Sequence, residues 1–227
     1  MPSYNPTYNP NMHQLQKVVK LLQDARRPMI FAGGGVILSK SAPELTEFAR
    51  KAKIPVTTSL MGLGAFPGSD PLWLGMLGMH GTYRANMSTS ACDLLIAIGV
   101  RFDDRVTGKT DAFAAQSKIV HIDIDPTSIR KNIPVTIPVV GDCKITLGDL
   151  NRLVEAKIWA ILTDRRGSWL DQIDAWKSTS RLAYEQGDDH QAAVRDRKAL
   201  RADPRRGGHH HHRGGAEPDV GGPVLSL

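Results

Sequence analysis

The feature that most constrains this chain is the run Asp93-Leu94-Leu95-Ile96-Ala97-Ile98-Gly99. Its apolar stretch is unbroken, with no alternation of polar and apolar residues, so both of its faces have to be buried. It is too short for a buried helix, and an acid and a glycine bracket it. These properties define a central strand of a sheet covered on both sides. Runs of the same kind recur along the chain. Pro28-Met29-Ile30-Phe31-Ala32 ends on Gly33-Gly34-Gly35; Ile54–Thr58, Lys118–Asp125 and Thr136–Val140 follow the same pattern. Between them lie helical periods: residues 12–22, with Leu15, Val18, Val19 and Leu22 on one face; 42–52, with Leu45, Phe48 and Ala49; then 82–91, 143–162 and 168–186. Strands that alternate with helices predict an α/β domain, a doubly wound parallel sheet of about six strands with helices on both faces. Residues 1–11 contain three prolines and no apolar period, and they read as an extended linker.

The last 38 residues break every one of these patterns. Residues 190–227 contain no Ile, Phe, Tyr, Trp or Met, and they include a run of four histidines, His209–His212. Such a segment cannot build a core and is expected to be disordered. It also holds half of the net charge of +6: residues 1–189 carry 22 Lys+Arg against 19 Asp+Glu, and residues 190–227 carry 7 against 4. The body is therefore nearly neutral and has no basic stripe with interleaved aromatics, which argues against nucleic-acid binding. No apolar run approaches the ~20 residues of a membrane span. Cys92 and Cys143 form no CxxC pair. With no basic, apolar leader at the N-terminus, they read as two plain thiols of a cytoplasmic protein.

In a doubly wound sheet, ligands bind beyond the carboxyl ends of the strands, and four segments fall there. Gly33-Gly34-Gly35 could let the backbone approach a phosphate, or could simply make a tight turn; Leu38 stands where GxGxxG requires a sixth glycine or alanine, so the NAD fingerprint fails. Leu77-Gly78-Met79-His80-Gly81 could wrap a flat ring, or form a loop with a satisfied histidine. In Val100-Arg101-Phe102-Asp103-Asp104-Arg105-Val106, two arginines four residues apart could clamp a diphosphate, or could pair with the aspartates to order the loop. His121-Ile122-Asp123-Ile124-Asp125 places acids at a strand end, where ribose hydroxyls would bind; Gly141-Asp142 repeats the choice between ligand contact and exposed strand end. Together these segments point to a nucleotide ligand with a diphosphate. No nucleophile elbow, metal-ligand cluster or P-loop lysine occurs, so no catalytic or metal-binding residue is assigned.

The words RPMIFAGGGVI, TTSLMGLGAFP, LGMLGMHGTY, DLLIAIGVRFDDRVTGK, IVHIDIDP and PVVGD, in this order, resemble the middle domain of the acetohydroxyacid (acetolactate) synthase large subunit over roughly residues 2–187. Arg84 departs from the pattern, where an acidic or small residue is more usual. The resemblance implies an FAD-binding domain over residues 12–187 of a thiamine-diphosphate-dependent transferase. That enzyme joins two pyruvates, or pyruvate and 2-oxobutyrate, in isoleucine and valine biosynthesis. It implies FAD contacts at Gly33, Gly34, Gly35, Leu60, Met61, Gly78, Met79, His80, Gly81, Arg101, Asp103, Arg105, Val106, Asp123, Ile124 and Asp142. It also implies a substrate channel lined by Met79, His80, Asp103, Asp104 and Arg105. In that family the activating glutamate and the GDG…Asn motif for thiamine diphosphate and Mg2+ lie in the other two domains, and neither occurs here. The implied partners are those other domains, a second copy in a dimer or tetramer, and a regulatory small subunit. The chain is then expected to be a fragment that is inactive alone. The competing expectation is a free-standing nucleotide-binding or regulatory module for FAD, NAD or ADP.

The tail carries a further expectation. Encoded as CAT CAT CAC CAC, His209–His212 reads one base later as IITT. Suitable codons for residues 190–195 and 216–223 shift likewise to IKPQYV and QNQMWAA, words that open the carboxy-terminal domain of the same family. Residues 188–227 thus read as an out-of-frame tail, with the slip near Asp188–His190.

Overall fold

The computed structural model of the chain describes residues 6–154 and 166–179. Six strands form one sheet: β1 (Pro28–Ala32), β2 (Val56–Thr58), β3 (Trp73–Met76), β4 (Leu94–Ile98), β5 (Lys118–Asp123) and β6 (Ile137–Val140). All neighbours are parallel, in the order β3-β2-β1-β4-β5-β6. The order reverses between β1 and β4, which makes their carboxyl ends the switch point of the sheet. The expected doubly wound fold is present. The short β3, whose Leu74-Gly75 breaks the apolar run, was not among the strands read from the sequence.

The unbroken apolar runs are explained by two cores. Alternate residues of each strand enter opposite layers. Ile30, Ala32, Leu94, Ile96 and Ile98 join one core; Met29, Phe31, Leu95 and Ala97 join the other. The first is covered by α1 (Met12–Asp24), α3 (Ala42–Ala52) and α6 (Cys143–Leu153), which contribute Leu15, Val18 and Leu22, Leu45 and Phe48, and Leu147 and Leu150. The second is covered by α4 (Tyr83–Ala91) and α7 (Gly167–Thr179), with Ala85, Trp169 and Ile173. All five β4 residues are buried, and each Leu or Ile among them contributes about 1.5–3 kcal/mol.

Local signals fix the helix ends. The Asn11 side chain accepts from the His13 and Gln14 N–H groups to start α1, and Lys53, at φ 47°, turns the chain out of α3. The Asp93 carboxylate accepts from the N–H groups of Arg26 and Arg27 at 2.8 and 2.9 Å, so the entries to β1 and β4 are tied together. Arg166 is fully buried. Its guanidinium donates to the carbonyls of Leu22 and Ala52, near the C-terminal ends of α1 and α3, where positive charge is favoured. Burial pushes its pKa down to about 10.

Several boundaries differ from the sequence reading. Of the helix expected over 143–162, α6 accounts for Cys143–Leu153, and residues 155–165 lie outside the described residues. Of 168–186, α7 accounts for the part up to Thr179. The described part of the expected linker is not detached: the Tyr8 carbonyl accepts from Asp142 N–H at 2.8 Å. Residues 180–227, including the expected slip near Asp188–His190, lie outside the described residues.

Candidate functional site

The floor of the site is the switch point. After β1 the chain enters a short helical turn, α2 (Gly34–Leu38), and passes against the end of β4. Gly33 N–H donates to the Ile98 carbonyl at 3.0 Å, and Gly35 N–H to the Gly99 carbonyl at 2.9 Å. A Cβ on Gly35 would lie 2.6 Å from the Gly99 Cα, and one on Gly33 would lie 2.6 Å from the Val100 side chain. The outer two glycines therefore permit two backbones to touch. Gly34 differs: a Cβ there would meet only Met61, at 3.2 Å. Gly99, with φ +57°, is the reciprocal partner of the triplet, and the sequence reading gave it no role beyond ending the strand.

On the β1–β3 side the rim is apolar. A 3-10 turn, Leu60–Gly62, capped by the Ser59 side chain, presents Leu60 and Met61 at 67% and 74% exposure. Met79 is 69% exposed, and Leu38 also stands out to solvent. Beneath them the Thr58 hydroxyl, buried at the end of β2, finds no partner among the described residues.

The second and third segments are brought into direct contact. Gly78, at φ +103°, packs so closely on the next turn that a Cβ would lie 2.6 Å from the Arg105 carbonyl, and Met79 N–H donates to that carbonyl at 3.0 Å. The turn is α5 (Asp104–Thr107), with Asp103 at its N-cap. Arg101, Asp103, Asp104 and Arg105 are all exposed, and Arg101 stands 3.8 Å from Asp103. The Asp104 carboxylate accepts from Arg105 N–H. Arg101 and Asp103 thus make a long, exposed pair, and Asp104 meets Arg105 through the backbone N–H rather than the guanidinium. Val106 is half-buried beside it.

The fourth segment is mixed. His121 is fully buried; its Nε2–H donates to the Val100 carbonyl at 2.9 Å, and its Nδ1 is buried without a partner among the described residues. Burial lowers the His121 pKa. Two residues on, Asp123 is held above the usual carboxylate range by burial, while the Thr127 hydroxyl holds Asp125 below it. Asp123 and Ile124 stand half-buried at the end of β5. Asp142 is spent locally: its carboxylate caps α6, accepting from the N–H groups of Lys144 and Ile145. A cleft of about 60 Å³ opens between Arg101, Ser128, Arg130 and Lys131. The latter cations extend the positive rim beyond what the motifs indicated. Among the described residues no group of three His, Cys, Asp or Glu could hold a metal ion, and no helix is long and apolar enough to cross a membrane.

The rim stands on the switch point of a doubly wound α/β domain, apolar on one side and cationic on the other. Residues 15–150 match the family described as thiamine pyrophosphate enzyme, central domain, and the chain belongs to that family. Its relatives narrow the class. It is 45% identical over 183 residues to the acetolactate synthase large subunit of Haemophilus influenzae, covering 81% of this chain and 32% of that protein. It is 47% identical over 176 residues to acetolactate synthase 1, chloroplastic, of Zea mays, covering 78% and 27%. An X-ray structure assigned as a thiamin diphosphate-dependent enzyme from Mycobacterium smegmatis superposes with a TM-score of 0.56 at 26% identity, over 68% of this chain and 30% of that one. The chain thus spans about a third or less of the length of these proteins.

Proposed function

We propose that this chain is the FAD-binding middle part of an acetolactate synthase large subunit, and that by itself it makes no acetohydroxyacid. The observation that carries the reading is the two-sided rim. Leu60, Met61 and Met79 offer apolar surface to a flat ring on the β1–β3 side. Arg101, on the β4 side, offers a guanidinium fork to a diphosphate. Asp123 and Ile124 lie farther along the same edge, at the end of β5, where a ribose would be met. Gly33, Gly34 and Gly35 keep side chains away from the centre, and Gly34 is the least crowded of the three, facing Met61 rather than Gly99 and Val100. Gly78, Met79, His80, Gly81, Asp103, Arg105 and Val106 form the wall nearest the proposed ring, and Met79, His80, Asp103, Asp104 and Arg105 line the proposed substrate channel. Asp142 would border the ligand without donating to it, because its carboxylate is occupied by α6 and its N–H by the Tyr8 carbonyl. FAD in this setting is a structural cofactor with no net electron transfer. Thiamine diphosphate and Mg2+, the pyruvate chemistry of branched-chain amino-acid synthesis, and the dimeric or tetrameric assembly with a regulatory small subunit belong in this reading to the whole large subunit. The out-of-frame reading of residues 188–227 joins the proposal, and the gene's nucleotide sequence tests it: a frame one base along that does not spell IKPQYV, IITT and QNQMWAA ends it.

The test of the cofactor is a titration of the purified full chain with FAD, followed by visible absorbance and flavin fluorescence. Saturable quenching that ADP competes away supports the reading. A folded chain that binds neither FAD nor ADP overturns it; one that binds ADP or NAD but not FAD supports the nucleotide-module alternative.

A further inference from the structure

The loop of Leu77–Gly81 and the turn of Asp103–Thr107 are both parts of the candidate site; within that set the loop is held by Gly81 N–H on the Gly78 carbonyl and by Met79 N–H on the Arg105 carbonyl. Asn86, in the first turns of α4, adds a side-chain hold from outside the set. Its Oδ1 accepts from Gly78 N–H at 3.2 Å, and its Nδ2 donates to the carbonyls of Gly78 at 3.1 Å and Thr82 at 3.2 Å. The amide thus closes a two-way bridge with Gly78, as a neighbouring strand would, and ties it to the cap of the helix that carries Asn86. Gly78 needs this fixing. At φ +103° it sits in a conformation that glycine alone adopts readily, and a free glycine gives up much conformational entropy on being held. Holding Gly78 presents Met79 N–H to the Arg105 carbonyl at 3.0 Å.

We infer that Asn86 is a positioning residue that locks the Met79–His80 loop onto the Asp103–Thr107 turn, so that the two walls of the proposed flavin site behave as one unit. Asn86 touches no ligand in this scheme; it acts through Gly78. The side chains that the unit carries outward, Met79 and Arg105, are exposed, so the hydrogen-bonded backbone alone sets their separation. An amide is the group suited to this work: it offers an acceptor and two donors in one plane. Aspartate at the same position would keep the bond from Gly78 N–H and lose both bonds to carbonyls.

The inference rests on the flavin reading only for its ligand consequence, and the experiment separates the two. Amide hydrogen exchange is measured by NMR on the full chain, as wild type, Asn86→Ala and Asn86→Asp. In the wild type, the Gly78 and Met79 amides are expected to be protected. Asn86→Ala should speed both by about tenfold or more, the size of a lost hydrogen bond or two, and should also release the Asp103–Thr107 amides, with Ile96 and Val120 in the strands unchanged. Asn86→Asp should retain protection at Gly78 more than at Met79. Unprotected Gly78 and Met79 amides in the wild type overturn the inference without any variant, even if Asn86→Ala fails to fold. So does loss of protection confined to residues 77–81, or no change at all. If the wild type binds FAD, Asn86→Ala should weaken it about tenfold while the sheet amides keep their protection. If it binds none, the flavin reading fails and exchange alone decides the role of Asn86.

Discussion

Replacing Gly35 by alanine is expected to unseat the switch point, and the neighbouring Gly34 provides the control. A Cβ on Gly35 would lie 2.6 Å from the Gly99 Cα and 3.1 Å from its carbonyl oxygen. Both are backbone atoms, so no side chain can swing away. To reach ordinary carbon–carbon contact of about 3.5 Å, the turns after β1 and β4 must part by almost 1 Å. Overpacking of this kind costs roughly 1–3 kcal/mol. Parting also lengthens the Gly35 N–H bond to the Gly99 carbonyl beyond its 2.9 Å, which forfeits about 1 kcal/mol more. The gain from alanine in a helical turn returns about 1 kcal/mol. The net loss is about 1–3 kcal/mol, a large part of the ~5–15 kcal/mol that holds a domain together. At Gly34 the added Cβ meets Met61, its Cβ at 3.2 Å and its carbonyl oxygen at 3.6 Å; the Leu60–Gly62 turn need give by only a few tenths of an ångström to reach ordinary contact, so the change there should fall within about 1 kcal/mol of zero. Urea unfolding followed by tryptophan fluorescence reads both. With a slope of about 2 kcal/mol per molar, Gly35→Ala should lower the midpoint by about 1 M and Gly34→Ala should barely move it. Equal midpoints for the two variants would refute the claim that the outer glycines serve contact between backbones.

Further outcomes follow from buried polar groups. Arg166→Met should cost roughly 2 kcal/mol in the same assay, because the Leu22 and Ala52 carbonyls lose their buried donor; a neutral result would mean that water satisfies both. Burial lowers the pKa of His121 in the folded chain, so the unfolded chain binds the extra proton first. Stability is therefore full above the unfolded value near 6.5 and falls as pH drops below it. His121→Phe should flatten that slope in urea midpoints taken between pH 5 and 7, and an unchanged slope assigns the acid sensitivity elsewhere. Cys92 and Cys143, pushed by burial up to about 11 and about 12, should resist a disulfide reagent at pH 8 until urea unfolds the chain. Rapid modification of either thiol in native buffer would contradict their burial.

Much of this architecture is written locally. Apolar runs without alternation announced β1, β4 and β5 because strands buried on both faces need no polar side. Helical spacing of Leu15, Val18 and Leu22, and of Leu45, Phe48 and Ala49, marked α1 and α3 because one stripe alone meets the core. The candidate segments were legible for the same reason: in a parallel sheet, whatever follows a strand lies at one edge. β3 was not legible, since Trp73–Met76 is only four residues and contains a glycine; its pairing with β2 makes it a strand.

What the sequence by itself determined, then, is every strand but β3, the longer helices, and which residues follow those strands. What the tertiary structure alone decided is which of those residues meet. The order β3-β2-β1-β4-β5-β6 is made by pairing between segments far apart in the chain, and it sets Gly35 against Gly99, 64 positions later. The same is true of Met79 on Arg105 and of Arg166 on Leu22 and Ala52. Even Asn86, only eight residues from Gly78, takes its role from the fold, because its value lies in the turn to which Gly78 is then fastened. Periodicity reports the environment of each element, whereas contact between elements depends on how the sheet closes parallel pairs over long loops.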